Sequence, residues 1–179
     1  MVNVEAWNRS YPHKVVDLEA LRAYKGKMSH IRCVNYPGYE TIAEKYGLSA
    51  AVCISAGARL VVTSGHVGMD EERNMKVDLR EQMVLAFKNV ERSIHACDPS
   101  LTADQIWGSV YKVTSYHVGS VDEGVTDLLA SVAKEYMGIH RPAWAAVGVE
   151  TLAAGTFEMC VSAALPGARE AANRSISNI

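Results

Sequence analysis

"AWAAVGVETLAAGTFEMCVSAAL", residues 143–165, alternates two kinds of residue on either side of a turn-forming "LAAG". Period-two alternation marks strands with two unlike faces. One parity carries Ala145, Val147 and Val149, then Phe157, Met159 and Val161, and suits packing beneath helices. The other carries Trp144, Gly148 and Glu150, then Glu158, Cys160 and Ser162. That second set is neither a dry core nor a fully charged surface. Solvent exposure and a subunit interface are both open to it. Trp144 and Cys160 are odd choices for open water, which favours a face covered by other copies of the chain, with polar clefts at its margins.

Working outward, "DLREQMVLAFKNVERSIHA" (78–96) predicts a helix. Leu79, Met83, Phe87, Val90 and Ile94 form its apolar stripe, and Asp78 and Glu81 have capping-box spacing. "SVDEGVTDLLASVAKEYMG" (120–138) repeats the pattern, with Ser120 and Glu123 as the box and Gly138 as the stop. "SVYKVTSYHV" (109–118) is a strand. "LSAAVCISA" (48–56) and "RLVVTSG" (59–65) read as a hairpin through "GA". The order ββαβαββ predicts an α+β domain over residues 46–166, a single sheet with two helices on one face. Residues 1–45 form an N-terminal extension that packs on it. They hold one short helix, capped by Asp17 with Leu18 and Leu21 on one side, and a turn-rich connector at 33–40. Residues 167–179 are a tail.

The chain has 179 residues, with 18 Lys and Arg against 20 Asp and Glu. No basic run is available to displace counterions, which argues against a nucleic-acid partner. Cys33, Cys53, Cys97 and Cys160 lack metal-ligand spacing and point to a reduced compartment. Cys53 and Cys160 read as small apolar fillers and Cys97 as buried. No signal-peptide core or bilayer-spanning run is found, so the expectation is a soluble, cytoplasmic protein without a membrane partner.

Taken in order, "VVTSGHVGMD", "EQMVLAFKNVERSIHAC", "VYKVTSYHV", "HRPAWAAVGVETL" and "FEMCVSAAL" resemble the YjgF/Rid (reactive-intermediate deaminase) family over residues 47–166. "NYPGYETIAEKYG" and "VTSYHV" are most similar to a fungal branch of it. The resemblance implies a chorismate-mutase-like fold, a homotrimer with ligand clefts at subunit boundaries, and hydrolysis of 2-imino acids or enamines without metal or organic cofactor. In that chemistry an arginine grips the substrate carboxylate, backbone after "SG" assists, and a glutamate holds the attacking water. Carried over, the glutamate falls on Glu158 within one position, because the preceding loop is a residue short, and the "SG" pair falls on Ser64 and Gly65. The arginine of "RPAR" falls on Trp144, a substitution frequent in the fungal branch. Leu48 and Ala50 stand where tyrosine and glutamine are usual.

An indole can stack and donate one hydrogen bond, but it cannot neutralise a carboxylate. Trp144 is either a plug at the trimer boundary or the wall of a pocket for a flat, uncharged ligand. Arg141 precedes Pro142 with the opposite parity, so it reads as a surface or inter-subunit ion pair, with ligand contact as the alternative. Glu158 and His66 are the catalytic candidates, for proton transfer or orienting water. Substrate-binding candidates are Trp144, Ser64, Gly65, His117, Arg141, Glu150 and Cys160. His117 is placed in the same cleft with Tyr116 on the other face. Glu150 is placed on the face of Glu158, where a close pair would split their protonation. Cys160 is a nucleophile without a visible base. Three functions fit: an acid/base or water-addition enzyme (enamine or imine hydrolysis, or tautomerisation) on an uncharged conjugated metabolite in a biosynthetic pathway; a weak 2-imino-acid deaminase; and a non-catalytic trimeric ligand-binding protein.

Overall fold

The computed structural model describes residues 30–167. The helix expected behind Asp17 and most of the tail lie outside the described residues. In chain order the elements are β1 (Ile31–Val34), α1 (Glu40–Tyr46), β2 (Ala51–Ile54), β3 (Arg59–Val62), β4 (His66–Val67), α2 (Leu79–Cys97), α3 (Ala103–Ser109), β5 (Val110–Val118), α4 (Glu123–Met137), β6 (Ala143–Val149) and β7 (Phe157–Leu165).

The two long helices form where their stripes predict. Asp78 accepts from the Glu81 N–H at 3.0 Å at the head of α2. Helix α4 starts later than expected: Asp122, not Ser120, accepts from the Val125 N–H at 2.9 Å. An aspartate one residue before the first helical position is the better cap. Gly138 ends α4 at φ 56, a conformation that costs glycine little. Two short helices are added, α1 and α3. The second is closed by a full capping box of Thr102 and Gln105.

The main sheet runs β3-β7-β5-β6, with the short β4 also on β7. Strand β5 lies parallel to β6 and antiparallel to β7, so the two strands of the opening quotation are not neighbours. The expected hairpin of 48–56 with 59–65 does not form. Strand β2 pairs instead with β1 in a separate two-stranded sheet, and β3 pairs with β7. Tertiary anchoring explains the choice. Ser49 donates its N–H to Pro142 O at 3.0 Å and its hydroxyl to Arg141 O at 2.6 Å, tying the approach to β2 to the start of β6. For a run of four β-prone residues, the available partner outweighs intrinsic preference.

Register assigns the faces, because directly opposed residues share one. Val113, Ser115 and His117 of β5 oppose Val161, Met159 and Phe157 of β7, and all six are buried beneath the helices. The same β5 residues oppose Trp144, Ala146 and Gly148 of β6. The β6 parity is therefore reversed from the sequence expectation: Trp144 lies on the helix side, and Ala145 and Val147 on the open side. The reason is apolar area. Burying one indole stabilises more than burying the strand's valines, and Val147 stays 39% exposed. Beneath the helices Phe87 is the hub, with ring centroids 4.9 Å from Tyr136, 5.1 Å from Trp107 and 6.3 Å from Trp144.

Candidate active site at the β3–β4 bulge

Strand β7 faces β3 and then β4, and between them the register slips. Val62 opposes Ser162 and His66 opposes Met159, so four steps on one side match three on the other. This is a one-residue bulge at Thr63–Gly65, a device that re-aims the side chain beyond it. Thr63 holds the slip closed: its N–H donates to Val161 O at 3.0 Å and its Oγ1 accepts from the Val161 N–H at 3.1 Å. Without the extra residue, His66 would share the open face of Leu60 and Val62. With it, His66 turns to the helix side, and Ser64 and Gly65 stand exposed at the corner.

Glu158 occupies that corner from the open side, half-buried on β7. A Cβ built on Gly65 would lie 1.9 Å from Glu158 Oε1 and 2.7 Å from its Cδ. The carboxylate thus rests on the bare Cα of Gly65, a seat that only glycine leaves free. Burial pushes the His66 imidazole below its ordinary value, and the Glu158 charge opposes part of that fall. His66 Nε2 lies 2.9 Å from Ser93 Oγ on α2. Tyr116 opposes Glu158 directly across the ladder and shares its face. The fold therefore gathers Ser64, Gly65, His66 and Glu158, four of the sequence candidates. Chemically, the corner pairs a carboxylate with a neutral imidazole beside open backbone, a set suited to moving protons and orienting water.

The other candidates fall elsewhere. His117, expected in the Glu158 cleft, is 2% exposed on the helix side, and Tyr116 takes the face expected for it. His117 Nε2 lies 3.0 Å from Ser115 Oγ, which also accepts from the Trp144 indole N–H at 3.0 Å. Burial holds His117 below its ordinary value. Trp144 also lines a small apolar cleft of about 160 Å³ with Tyr46, Leu48, Leu129 and Ala146. Arg141 donates from one guanidinium nitrogen to Gly138 O at 2.7 Å and His140 O at 3.0 Å, capping the end of α4. It also borders a charged cleft of about 380 Å³ with Lys45, Lys134, Glu44 and Asp127. Glu150 is exposed beyond the end of β6, and β5 stands between that strand and Glu158, so the sheet does not bring the two carboxylates into a pair. Cys160 lies on the open face two residues from Glu158, opposite Thr114. Cys53 and Cys97 are exposed rather than buried fillers.

Sequence reasoning missed Ser93, Asn89 and Ser115. Their signal was a polar residue at a position adjoining the apolar stripe of α2, or at an inward position of β5. Among the described residues, no cluster of three or more His, Cys, Asp or Glu is arranged to hold a metal. None of the helices among them is long and apolar enough to cross a membrane.

A family model described as endoribonuclease L-PSP matches residues 41–165. The RutC family protein YjgH of Escherichia coli K12 is 30% identical over 127 residues, covering 69% of this chain and 92% of that protein. The structure of protein YjgH has a TM-score of 0.50 at 30% identity, covering 76% of this chain and 98% of that one. A Rid-family protein of unknown function, YyfB of Yersinia pestis, has a TM-score of 0.64 at 20% identity, covering 76% and 99%. With that family model spanning most of the chain and a relative 30% identical over nine-tenths of its own length, the chain belongs to the endoribonuclease L-PSP family, also known as the YjgF/RutC/Rid family.

Proposed function

We propose that this protein is a Rid-like enzyme that acts on a small, uncharged, conjugated metabolite by acid/base or water-addition chemistry, hydrolysing or tautomerising an enamine or imine in a biosynthetic pathway. Family membership supports the broad class, a small-molecule deaminase or hydrolase-like protein. The observation that carries the finer reading is the Glu158 carboxylate seated on Gly65 beside His66. Glu158 takes a proton from the attacking water or from an acidic C–H. His66, whose imidazole burial holds below its ordinary value, is the second proton-transfer candidate of the corner, across the bulge from Glu158. Among the described residues Glu158 has no ion pair. Arg141, the alternative cationic hook, is engaged with carbonyls at the end of α4 and not with the corner. A neutral substrate is favoured for that reason, and Trp144 is read as the mark of a divergent, fungal-type branch.

The working unit is a homotrimer in this proposal. Trp144 and Glu158 sit on opposite faces of the sheet. Their partners on β5, Val113 and Tyr116, are three residues apart, about 10 Å along the strand. That separation, on opposite faces, favours a small molecule held between two chains over one enclosed by a single chain. The open face also offers Leu60 at 59% and Val62 at 73% exposure, apolar area that a second copy would cover.

Screening imine and enamine hydrolysis and keto–enol tautomerisation tests the proposal. Glu158→Gln is expected to lower turnover by roughly 10²–10⁴-fold while leaving the fold intact. Full turnover in that variant overturns the acid/base role. Ammonia release from a 2-aminoacrylate-type intermediate at the rate of an arginine-bearing relative overturns the neutral-substrate assignment.

A further inference from the structure

We propose that Ser93 is the positioning residue of this corner: it holds His66 as the Nε2–H tautomer and leaves Nδ1 as the basic nitrogen. The inference rests on the reading of the Glu158 corner as an acid/base site, and it deepens that reading. Its basis is a count of protons. The Ser93 hydroxyl has one hydrogen, and the Asn89 carbonyl, 3.0 Å away and one helical turn back, can only accept it. With the hydrogen placed there, the same oxygen accepts from His66 Nε2 at 2.9 Å. The neutral ring carries its proton on Nε2, and Nδ1 keeps its lone pair.

The support is built from both sides of the ring. Asn89 and Ser93, four residues apart on α2, share a helix face. Asn89 Nδ2 donates to Val67 O at 3.2 Å and to Met69 O at 2.9 Å, so the helix grips the backbone just beyond His66 as well as its imidazole. The Thr63–Gly65 bulge supplies the aim, because it turns His66 from the open face toward α2. A proton gained at Nδ1 leaves the bond to Ser93 unchanged, since Nε2 donates in both charge states. The nearby charge of the Glu158 carboxylate favours the resulting imidazolium. The base is thus preorganised: it takes up a proton without turning the ring or finding a new partner.

Long-range nitrogen–proton correlation spectra of the full-length, isotope-labelled protein at slightly alkaline pH test this directly. His66→Gln assigns the signals. The expected wild-type pattern has a protonated Nε2 and an unprotonated Nδ1, with well-separated nitrogen shifts. In Ser93→Ala the two shifts move toward each other as the tautomers mix, and Ser93→Thr, which keeps the hydroxyl, restores the separation. A wild-type spectrum with the proton on Nδ1 overturns the proposal without any variant. So does a folded Ser93→Ala, checked by its thermal midpoint, with an unchanged tautomer. Should the tautomer pattern hold while Glu158→Gln and His66→Gln leave turnover untouched, the catalytic reading falls and the role of Ser93 in fixing the ring stands.

Discussion

The two faces of the main sheet are built from the same strands for opposite ends. On the helix side, Phe157, Met159 and Val161 of β7 are at most 2% exposed, packed under a hub of aromatic rings around Phe87. On the open side, the residues that alternate with them (Glu158, Cys160 and Ser162) are half-exposed and polar, flanked by bare Leu60 and Val62. Alternation along one strand puts order and chemistry about 3.3 Å apart in sequence direction and on opposite sides of the backbone. The helix side tolerates little change in volume, whereas the open side tolerates much, until a partner or a substrate covers it.

The sharpest way to break this comparison is to delete the hub. Phe87→Ala should cost roughly 3–5 kcal/mol in chemical denaturation, since the ring is fully buried. Val62→Ser, at 73% exposure, should change monomer stability by no more than about 0.5 kcal/mol. Under the proposed trimeric assembly, its effect should appear in light scattering, as a shift from trimer toward monomer. Equal destabilisation by the two would show that the faces do not differ as described.

Two glycines on one stretch sharpen the contrast. A Cβ on Gly68 would sit 2.2 Å from the Cα of Gln82, so Gly68→Ala must push the head of α2 away. That should cost on the order of 1–3 kcal/mol. A Cβ on Gly65 meets the flexible end of Glu158 instead, which can swing aside. Gly65→Ala should therefore melt near the wild-type temperature while losing activity as Glu158→Gln does. A Gly65→Ala that keeps full activity would separate the carboxylate's seat from its chemistry.

Acidification should separate the faces in another way. Burial depresses His117, His66 and His140, all on the helix side or at its edge. A histidine whose folded value lies below its unfolded value of about 6.5 binds more protons when unfolded. Its stabilising contribution is complete above that pH and falls as pH drops below it toward the folded value. Asp70, Asp98 and Glu123, held low by hydrogen bonds and neighbouring cations, lose theirs only in the acid range below about pH 4. Denaturation midpoints should therefore decline already between about pH 6.5 and 5, and His117→Phe should flatten that early decline. A flat profile in the same window would mean that these rings protonate without penalty in the folded state.

The parts legible in the sequence were those where periodicity, capping and burial agree. The stripe Met83–Phe87–Val90–Ile94 and the odd positions of β7 both follow from the chain alone. What misled was parity where two apolar sets compete. In β6 the alternation was visible, but whether Trp144 or Val147 went inside depended on Phe87 and Ser115 arriving from other elements. The corner was half legible. Glu158, Ser64 and Gly65 were named through the family resemblance, and His66 by its place after them. The bulge that turns His66 toward Ser93 is a register slip against β7, and one strand's sequence does not encode its partner's count. Strand β1 taking the place of β3 beside β2 is the same lesson at the scale of a sheet.

A more modest effect than that of the hub bears on the residue that joins the two faces' stories. Trp144 donates its indole N–H to Ser115 Oγ, which also meets His117, and it lines the apolar cleft beside Leu48. Trp144→Phe removes the donor but keeps most of the apolar body, so it should cost about 1 kcal/mol. Ser115→Ala strips a partner from both the indole N–H and the buried His117 Nε2, and it should cost more, about 1–3 kcal/mol. This ordering identifies Ser115 as the knot and Trp144 as one of its strands. If Trp144→Phe instead leaves stability unchanged and weakens capture of a neutral conjugated ligand, the indole belongs to the cleft before it belongs to the core. The helix side would then carry recognition as well as order.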